Sequence, residues 1–199
     1  MKKIAIFASG NGSNFQALME AVKAGGLNAS IGLLVCDQPK AFAITRAQQG
    51  MVPAHVFCAK DYESKLAFES EILDKLLEKE IDLIVLAGYM RLIGPTLLDA
   101  YSGRIVNIHP SLLPSFPGKN AVEQAVDAGV KVTGVTIHYV DAGMDTGPII
   151  AQEAVSIVQG ETAADIYKKI QKVEHRLYPA IIEQICNEQE EKEWELNAH

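Results

Sequence analysis

Short apolar runs alternate with longer amphipathic segments through the first hundred residues, and this alternation restricts the chain to few folds. Three of the four runs are almost continuously apolar, which is typical of strands that are covered on both faces. Strands that alternate with helices favour a parallel sheet, because each helix returns the chain to the start of the next strand. The runs lie at Lys3–Ala8, Ala29–Val35, Asp82–Gly88 and Arg104–Ile108.

The segments between these runs have the spacing of amphipathic helices. The helix candidates are Asn14–Val22, Lys40–Gln49 and Tyr62–Lys79. The third carries a stripe of isoleucine and leucine side chains, and Asp61 stands where its N-cap is expected. We therefore predict an α/β fold, a Rossmann-like and mostly parallel twisted sheet with helices on both faces.

The pattern changes after residue 130. Two longer strand-like segments, VTGVTIHYV and PIIAQEAVSI, are joined by DAGMDTG, which predicts an antiparallel pair toward the C-terminal part of the chain. A capping box of Thr162 and Asp165 predicts the start of a last helix, which Pro179 is expected to interrupt or kink. We predict one domain over residues 1–185, followed by an acidic tail at 186–199.

Composition excludes several classes of protein. The formal net charge is −7, and no cluster of lysine and arginine suggests a nucleic-acid partner. The three cysteines form no C-x-x-C pair, and the five histidines show no metal-ligand spacing. The N-terminal apolar run is too short for a signal peptide, and no run approaches the roughly 18 apolar residues of a membrane span. We expect a cytoplasmic protein with no metal and no membrane partner.

Four polar or glycine-rich stretches fall at the predicted carboxyl ends of strands. These stretches are ASGNGSN, AGYMRLIG, NIHPSLLP and YVDAGMDTG. Ligands of open α/β sheets bind beyond the carboxyl ends of the strands. We therefore expect the four stretches to form one site.

The stretch SGNGSN follows the first strand and opens a helix. Its glycines let the backbone approach a ligand, and the helix N-terminal amides favour an anion. Gly10 and Gly12 also begin a dinucleotide fingerprint, with Asp37 as the ribose-binding acid, but Phe15 occupies the third glycine position. A monophosphate site is favoured, while a dinucleotide site and a plain turn capped by Ser13 stay open.

Asn107 and His109 are two apart in a predicted strand, so their side chains share one face. Pro110 keeps His109 extended and helps to end the strand. An amide beside an imidazole suits a reaction that builds negative charge on a carbonyl oxygen and moves a proton. The alternative is a buried histidine in a stiff turn. His138, in the middle of a later strand, is interpreted as structural.

Three acidic residues could complete such a site. Asp141 and Asp145 lie in the DAGMDTG turn, where acids often bond only to their own backbone. A carboxylate that reached His109 would orient its ring and raise its pKa. Glu174 borders the apolar stripe of the last helix, and the residues alone favour a surface ion pair over contact with a ligand cation.

Five stretches together resemble the phosphoribosylglycinamide formyltransferases, folate-dependent enzymes of purine biosynthesis. They are ASGNGSN, LAGYMRLI, NIHPSLLPSFPG, GVTIHYVDAGMDTGPII and VEHRLYP, and the resemblance runs from about residue 3 to about residue 183. The Asn–His–Asp pattern alone is similar to a wider family, which includes methionyl-tRNA formyltransferase and formyltetrahydrofolate deformylase. SGNGSN and the compact length narrow the resemblance to the glycinamide enzymes.

The resemblance implies direct transfer of a formyl group from 10-formyltetrahydrofolate, a co-substrate, to the amine of 5'-phosphoribosylglycinamide. It implies that Asn107, His109 and Asp145 form the catalytic group. Asn107 and protonated His109 would stabilise the tetrahedral oxyanion, and Asp145 would favour the protonated ring. No nucleophilic side chain is needed, so no formyl-enzyme is expected.

The resemblance also assigns binding residues. Glu174 would receive the amino end of the substrate, which reverses the interpretation drawn from the residues alone. Lys65 stands where a related enzyme can carry arginine, and lysine keeps the charge but loses the bidentate fork. A homodimer is left open. The substrate phosphate is assigned to Gly12, Ser13 and Asn14, and the folate to Lys65, Met90, Arg91, Leu92, Ile93, Asn107, Asp141, Ala142, Gly143, Met144 and Asp145.

Two other functions are compatible with some of these residues. A hydrolase that releases formate from the same folate would use the same three residues on water and would not need the amine. A dinucleotide-binding or sensor domain would rest on the glycine-rich turn and Asp37, and it would bind NAD or NADP.

Overall fold

Strands and helices alternate along the chain in a computed structural model, which describes residues 1–197 and the side chains of residues 1–188. The strands are β1 (Lys2–Ala8), β2 (Ala29–Cys36), β3 (Ala54–Val56), β4 (Leu83–Leu86), β5 (Ile105–His109), β6 (Val132–Tyr139) and β7 (Ile149–Ser156). The helices are α1 (Ser13–Lys23), α2 (Phe42–Gln49), α3 (Lys65–Glu78), α4 (Pro95–Ala100), α5 (Ala121–Asp127) and α6 (Ala163–Asn197).

The strands form one sheet in the order β3-β2-β1-β4-β5-β6-β7. The first five strands along the chain pair in parallel, whereas β6 is antiparallel to β5 and β7 is antiparallel to β6. The predicted fold class, with its antiparallel strands toward the C-terminal part, is therefore confirmed. The chain moves outward from β1 to β3 and returns to β4 beside β1, so a crevice opens between their carboxyl ends.

Helices cover both faces of the sheet, which explains why the strand sequences are continuously apolar. Along β1, Ile4 and Ile6 belong to a core formed with α1, α2, α5 and α6. The alternate residues Ala5 and Phe7 belong to a second core, formed with α3 and α4. All four side chains are fully buried, and burial of one large aliphatic or aromatic side chain contributes about 1.5–3 kcal/mol.

The third helix begins later than its sequence pattern predicts. Helix α3 starts at Lys65, and its N-cap is Ser64, whose Oγ accepts a hydrogen bond from the Ala67 N–H at 3.2 Å. Asp61 instead ends a short 3-10 turn, so its prediction as the N-cap was wrong. Tyr62 is extended and packs its ring edge-on against Phe57, and this tertiary contact holds it outside the helix.

The last helix continues through Pro179, so the predicted interruption there was wrong. Tyr178 and Ile182 on either side are fully buried, and this packing outweighs the one backbone hydrogen bond that proline cannot donate. The capping box is present, because the Asp165 N–H bonds Thr162 Oγ1 at 3.3 Å and the Thr162 N–H bonds Asp165 Oδ2 at 3.1 Å. The predicted acidic tail begins inside α6 and reaches past the described residues.

Candidate active site

A cavity of about 610 Å³ lies at the carboxyl ends of β1, β4 and β5. All four stretches that were expected to converge contribute to its wall. Lys65 and Ala142 are the two predicted binding residues that do not. The predicted site residues in the wall are Gly12, Ser13, Asn14, Met90, Arg91, Leu92, Ile93, Asn107, His109, Asp141, Gly143, Met144, Asp145 and Glu174.

The residues of the Asn–His–Asp group lie together in the wall of this cavity. Asn107 and His109 come from β5, and Asp145 comes from the loop between β6 and β7. Asp145 Oδ2 lies 3.4 Å from His109 Nδ1, and Asp145 Oδ1 lies 3.5 Å from Asn107 Nδ2. One carboxylate therefore faces both residues of the strand, one with each oxygen.

His109 is 5% exposed, and oxygen atoms face both of its ring nitrogens. Its Nε2 lies 2.9 Å from the carbonyl oxygen of Phe116, a contact that requires an N–H on Nε2. Its Nδ1 faces the carboxylate of Asp145. His109 thus has a carbonyl oxygen at one ring nitrogen and a carboxylate oxygen at the other.

Asp145 has a left-handed backbone with φ 57°, which aspartate tolerates better than most residues. The N–H of Gly118 donates to its Oδ2 at 2.7 Å. Burial alone would raise the pKa of Asp145, but its contact with His138, the Gly118 N–H and the charge of His109 outweigh it and lower the pKa. The side chain is therefore an ionised carboxylate near neutral pH.

His138 belongs to the site, although its position in a strand was interpreted as structural. Its Nδ1 lies 2.8 Å from the Tyr139 carbonyl oxygen, so Nδ1 carries a proton. In the neutral ring Nε2 then accepts from Asn107 Nδ2 at 3.1 Å, and it lies 3.6 Å from Asp145 Oδ1. His138 thus orients the amide of Asn107.

The glycine-rich turn is packed against α2. Gly12 has φ 73°, and a Cβ there would lie 2.9 Å from the Cβ of Ala43, so both backbone angle and space require glycine. Arg46 donates from Nε to the Asn11 carbonyl oxygen at 2.8 Å and from Nη2 to Asn11 Oδ1 at 2.9 Å. Gly12 itself is the N-cap and no side chain caps α1, so the alternative of a turn capped by Ser13 was wrong.

Glu174 points into the cavity from α6 rather than forming a surface pair, so the interpretation drawn from the residues alone was wrong. It is 8% exposed and accepts a hydrogen bond from Asn14 Nδ2 at 3.1 Å. Burial raises the pKa of Glu174, and the bond from Asn14 only partly offsets this effect. A cationic ligand group would relieve the cost of this buried carboxylate.

Asp37 is engaged within the protein and does not face the cavity as a ribose-binding acid would. It is 3% exposed, and Arg91 Nε donates to its Oδ2 at 2.7 Å. Lys65 also turns away from the cavity, and its Nζ lies 3.8 Å from Glu69 Oε1. The occupied carboxylate of Asp37 counts against a dinucleotide site.

Among the residues whose side chains are described, no group of three histidine, cysteine or acidic residues could hold a metal ion. Within residues 1–197, no helix is both long enough and apolar enough to cross a membrane.

The fold and the site together indicate a class of protein: an open α/β sheet with an Asn–His–Asp group at the carboxyl ends of its central strands. The family model described as "Formyl transferase" matches residues 2–182, so the chain belongs to the formyl transferase family. The resemblance seen in the sequence motifs is therefore confirmed.

The individual relatives are more specific. Phosphoribosylglycinamide formyltransferase of Bacillus subtilis (strain 168) is 57% identical over 185 residues, which are 93% of this chain and 95% of that protein. The human trifunctional purine biosynthetic protein adenosine-3 is 37% identical over 185 residues, which are 93% of this chain but 18% of that larger protein.

Solved structures agree with these relatives. Glycinamide ribonucleotide transformylase 1 of Geobacillus kaustophilus superposes with a TM-score of 0.91 at 61% identity, over 93% of this chain and 98% of that one. Phosphoribosylglycinamide formyltransferase of Bacillus halodurans gives a TM-score of 0.90 at 58% identity, over 92% of this chain and 95% of that one.

Proposed function

We propose that this chain transfers a formyl group from 10-formyltetrahydrofolate to the amine of 5'-phosphoribosylglycinamide, a cytoplasmic step of de novo purine biosynthesis. The observation that carries the proposal is the assembly of Asn107, His109 and Asp145 in one cavity, whose wall also contains the glycine-rich turn, Glu174 and the segment after β4. The high identity to relatives that bear this enzyme name supports it.

The two ends of the cavity suit the two substrates. At one end, the backbone of the glycine-rich turn and the N-terminus of α1 offer amides to a phosphate, and Glu174 offers a carboxylate to an amine. At the other end, Met90, Leu92 and Met144 are half exposed or more and offer apolar contacts to a flat aromatic ring. Both substrates can therefore meet at the central group.

Asn107 and His109 act on the oxygen of the formyl group. When the amine attacks the formyl carbon, this oxygen gains negative charge in a tetrahedral intermediate. A donor aimed at such an oxygen contributes about 2.7–4 kcal/mol to stabilising the transition state. For this, His109 Nε2 would exchange the Phe116 carbonyl oxygen for the formyl oxygen, and Asn107 Nδ2 would exchange its 3.5 Å contact with Asp145. The hydrogen bond to His138 aims the Asn107 amide, and the ionised Asp145 balances the charge of the protonated ring.

The reaction ends with a proton transfer. The attacking nitrogen loses a proton and the departing folate nitrogen gains one, by way of His109 or of water. The carboxylate of Asp145 stays ionised throughout, because its pKa lies below the ordinary value. No side chain forms a covalent bond with the formyl group.

A spectrophotometric assay of 10-formyltetrahydrofolate consumption, with and without phosphoribosylglycinamide, tests the proposal. We expect consumption only when the amine is present, matched by formylated product. Release of formate without the amine would indicate a hydrolase instead. Absence of turnover under both conditions would contradict the proposed function.

A further inference from the structure

Two buried carboxylates lie behind the wall of the cavity and have no role in the proposed reaction. Asp37, which follows β2, is 3% exposed, and Glu69 in α3 is 2% exposed. Neither lines the cavity. Burial of a carboxylate is unfavourable unless it gains specific partners, so the partners of these two residues indicate what they do.

Both carboxylates bind one short segment, residues 89–94, which we call the donor wall. Asp37 Oδ2 accepts from Arg91 Nε at 2.7 Å. Glu69 Oε1 accepts from the backbone N–H of Gly94 at 2.7 Å, and it faces Lys65 Nζ at 3.8 Å. The donor wall is therefore held near its middle and at its end by carboxylates from two other elements of the fold.

The donor wall also has ring contacts: Tyr89 packs edge-on against Phe7, and the Arg91 guanidinium lies 5.8 Å from the centre of the Phe68 ring. Its residues follow β4 and precede α4, outside both elements. Ile93 is buried, but Met90 and Leu92 are 64% and 51% exposed and line the cavity. The N–H of Met90 donates to Ser9 Oγ at 2.9 Å. Met90 and Leu92 themselves are little packed, so the polar contacts of their neighbours help to determine where these two side chains lie.

Each carboxylate depends on its partner in the donor wall. Asp37 Oδ1 is buried without a hydrogen-bond partner among the described residues. Asp37 Oδ2 accepts from Arg91 Nε at 2.7 Å and from Gln38 Nε2 at 3.4 Å, so Arg91 supplies the shorter and charged contact. Burial raises the pKa of Glu69, and the Gly94 N–H and Lys65 partly offset this effect. A Cβ at Gly94 would collide with the Glu69 carboxylate and with the end of Lys65, so a larger residue there would displace this contact.

We propose that Asp37 and Glu69 are positioning residues for the formyl donor, which fix the donor wall at its working distance from Asn107 and His109 through Arg91 and Gly94. The inference rests on the proposed function, because the donor wall is the part of the cavity assigned to the folate. It also gives Lys65 a different task, as the counter-ion of Glu69.

The first test separates the two Michaelis constants. In Asp37→Asn, we expect the KM for 10-formyltetrahydrofolate to rise about tenfold and the KM for phosphoribosylglycinamide to stay within about twofold. Asp82→Asn is the matched control, because Asp82 Oδ2 binds the Lys3 N–H at 2.7 Å, at the opposite end of the strands. An equal rise in both constants, or none, would overturn the proposal.

The second test asks whether Asp37 acts through Arg91. In a double-mutant cycle, Asp37→Asn should have no further effect on the donor KM once Arg91→Gln is present. Additive effects would overturn the coupling. Calorimetry with tetrahydrofolate alone should give the same pattern in the dissociation constant, which separates binding from turnover.

The third test uses two changes of Glu69. Glu69→Gln keeps an oxygen for the Gly94 N–H, so we expect the donor KM to change less than about threefold. Glu69→Leu removes the acceptor, and we expect a rise of about tenfold. The same KM for 10-formyltetrahydrofolate in both variants would contradict the role of Glu69. If circular dichroism shows that the leucine variant has lost structure, the double-mutant cycle of Asp37 and Arg91 decides whether the proposal holds. Wild-type protein that transfers no formyl group would reject the proposed function itself.

Discussion

Each of the three central side chains is held by a group outside the triplet. His138 binds the amide of Asn107, the Phe116 carbonyl oxygen binds His109, and the Gly118 N–H binds Asp145. The loss of one central side chain therefore leaves independent supports for the other two. Activity can fall steeply in such variants while the fold is kept.

Asn107→Ala and His109→Ala should each lower kcat by about 10²- to 10⁴-fold, the range for an oxyanion donor or a proton-transfer group. Steady-state assays measure kcat, and circular dichroism checks the fold. His55→Gln is a control, because His55 faces Glu71 on α3, away from the cavity. Near-normal turnover in either alanine variant would remove that residue from the mechanism.

Asp145→Asn should lower kcat by about 10²-fold or more and should also change how stability depends on pH. Because the folded pKa of Asp145 is lowered, its ionised form stabilises the protein above the ordinary pKa of about 3.9, and this contribution is lost as the pH falls further. The stability deficit of the variant should shrink between pH 7 and pH 3. Urea unfolding at both pH values measures it, and a constant deficit would contradict the assignment.

Glu174→Gln should show the opposite pH dependence. Because burial raises the folded pKa of Glu174, its ionisation destabilises the protein as the pH rises above the ordinary value of about 4.3. The variant should therefore have a higher melting temperature than wild type at pH 7. At low pH the two melting temperatures should be the same. Its KM for phosphoribosylglycinamide should rise, because the partner of the amine has lost its charge. A lower melting temperature at pH 7 would contradict this account.

At the scale of whole elements, burial on two faces explains which parts of the fold could be predicted. Strands β1, β2, β4 and β5 are apolar on both sides, so their sequences are distinctive. Strand β3 has three residues, and α4 and α5 have six and seven, which is too short for a periodicity to be recognised. The path of α6 through Pro179 depends on packing that no local pattern records.

Some residues of the site could be predicted from the sequence, and others could not. Asn107 and His109 could be paired from the sequence because they are two apart in one strand. His138 could not, because its place beside Asn107 follows from the antiparallel register that pairs them across β5 and β6. The burial of Glu174 likewise depends on how α6 lies against α1. The preference for Asp145 over Asp141 rests on the resemblance to the formyltransferases, because the spacing in the sequence does not distinguish the two acids.

Tyr178 joins α6 to the strands that carry the site. Its buried hydroxyl lies 2.8 Å from the Leu86 carbonyl oxygen and 3.2 Å from that of Val106. Tyr178→Phe should therefore lower the free energy of unfolding by about 1–2 kcal/mol. Urea unfolding measures the change, with Tyr139→Phe on β6 as the control. A loss no larger than in the control would show that these contacts contribute little.

For the whole molecule, substrate binding should appear as added stability. Phosphoribosylglycinamide at a hundred times its Kd should stabilise the folded state by about 2.7 kcal/mol, which is a rise in melting temperature of roughly 5–10 °C for a chain of this size. NAD and NADP under the same conditions should produce no shift. A rise with a dinucleotide and none with the glycinamide would favour the alternative binding function.

The parts of the cavity wall assigned to the two substrates come from different parts of the chain. The turn after β1 and helix α6 are assigned to the acceptor, and the donor wall and the β6–β7 loop are assigned to the folate. Substitutions in helix α6 can therefore accumulate while the β6–β7 loop is retained. During evolution, proteins with this fold can therefore change the molecule that accepts the formyl group while they keep the same catalytic residues and the same formyl donor.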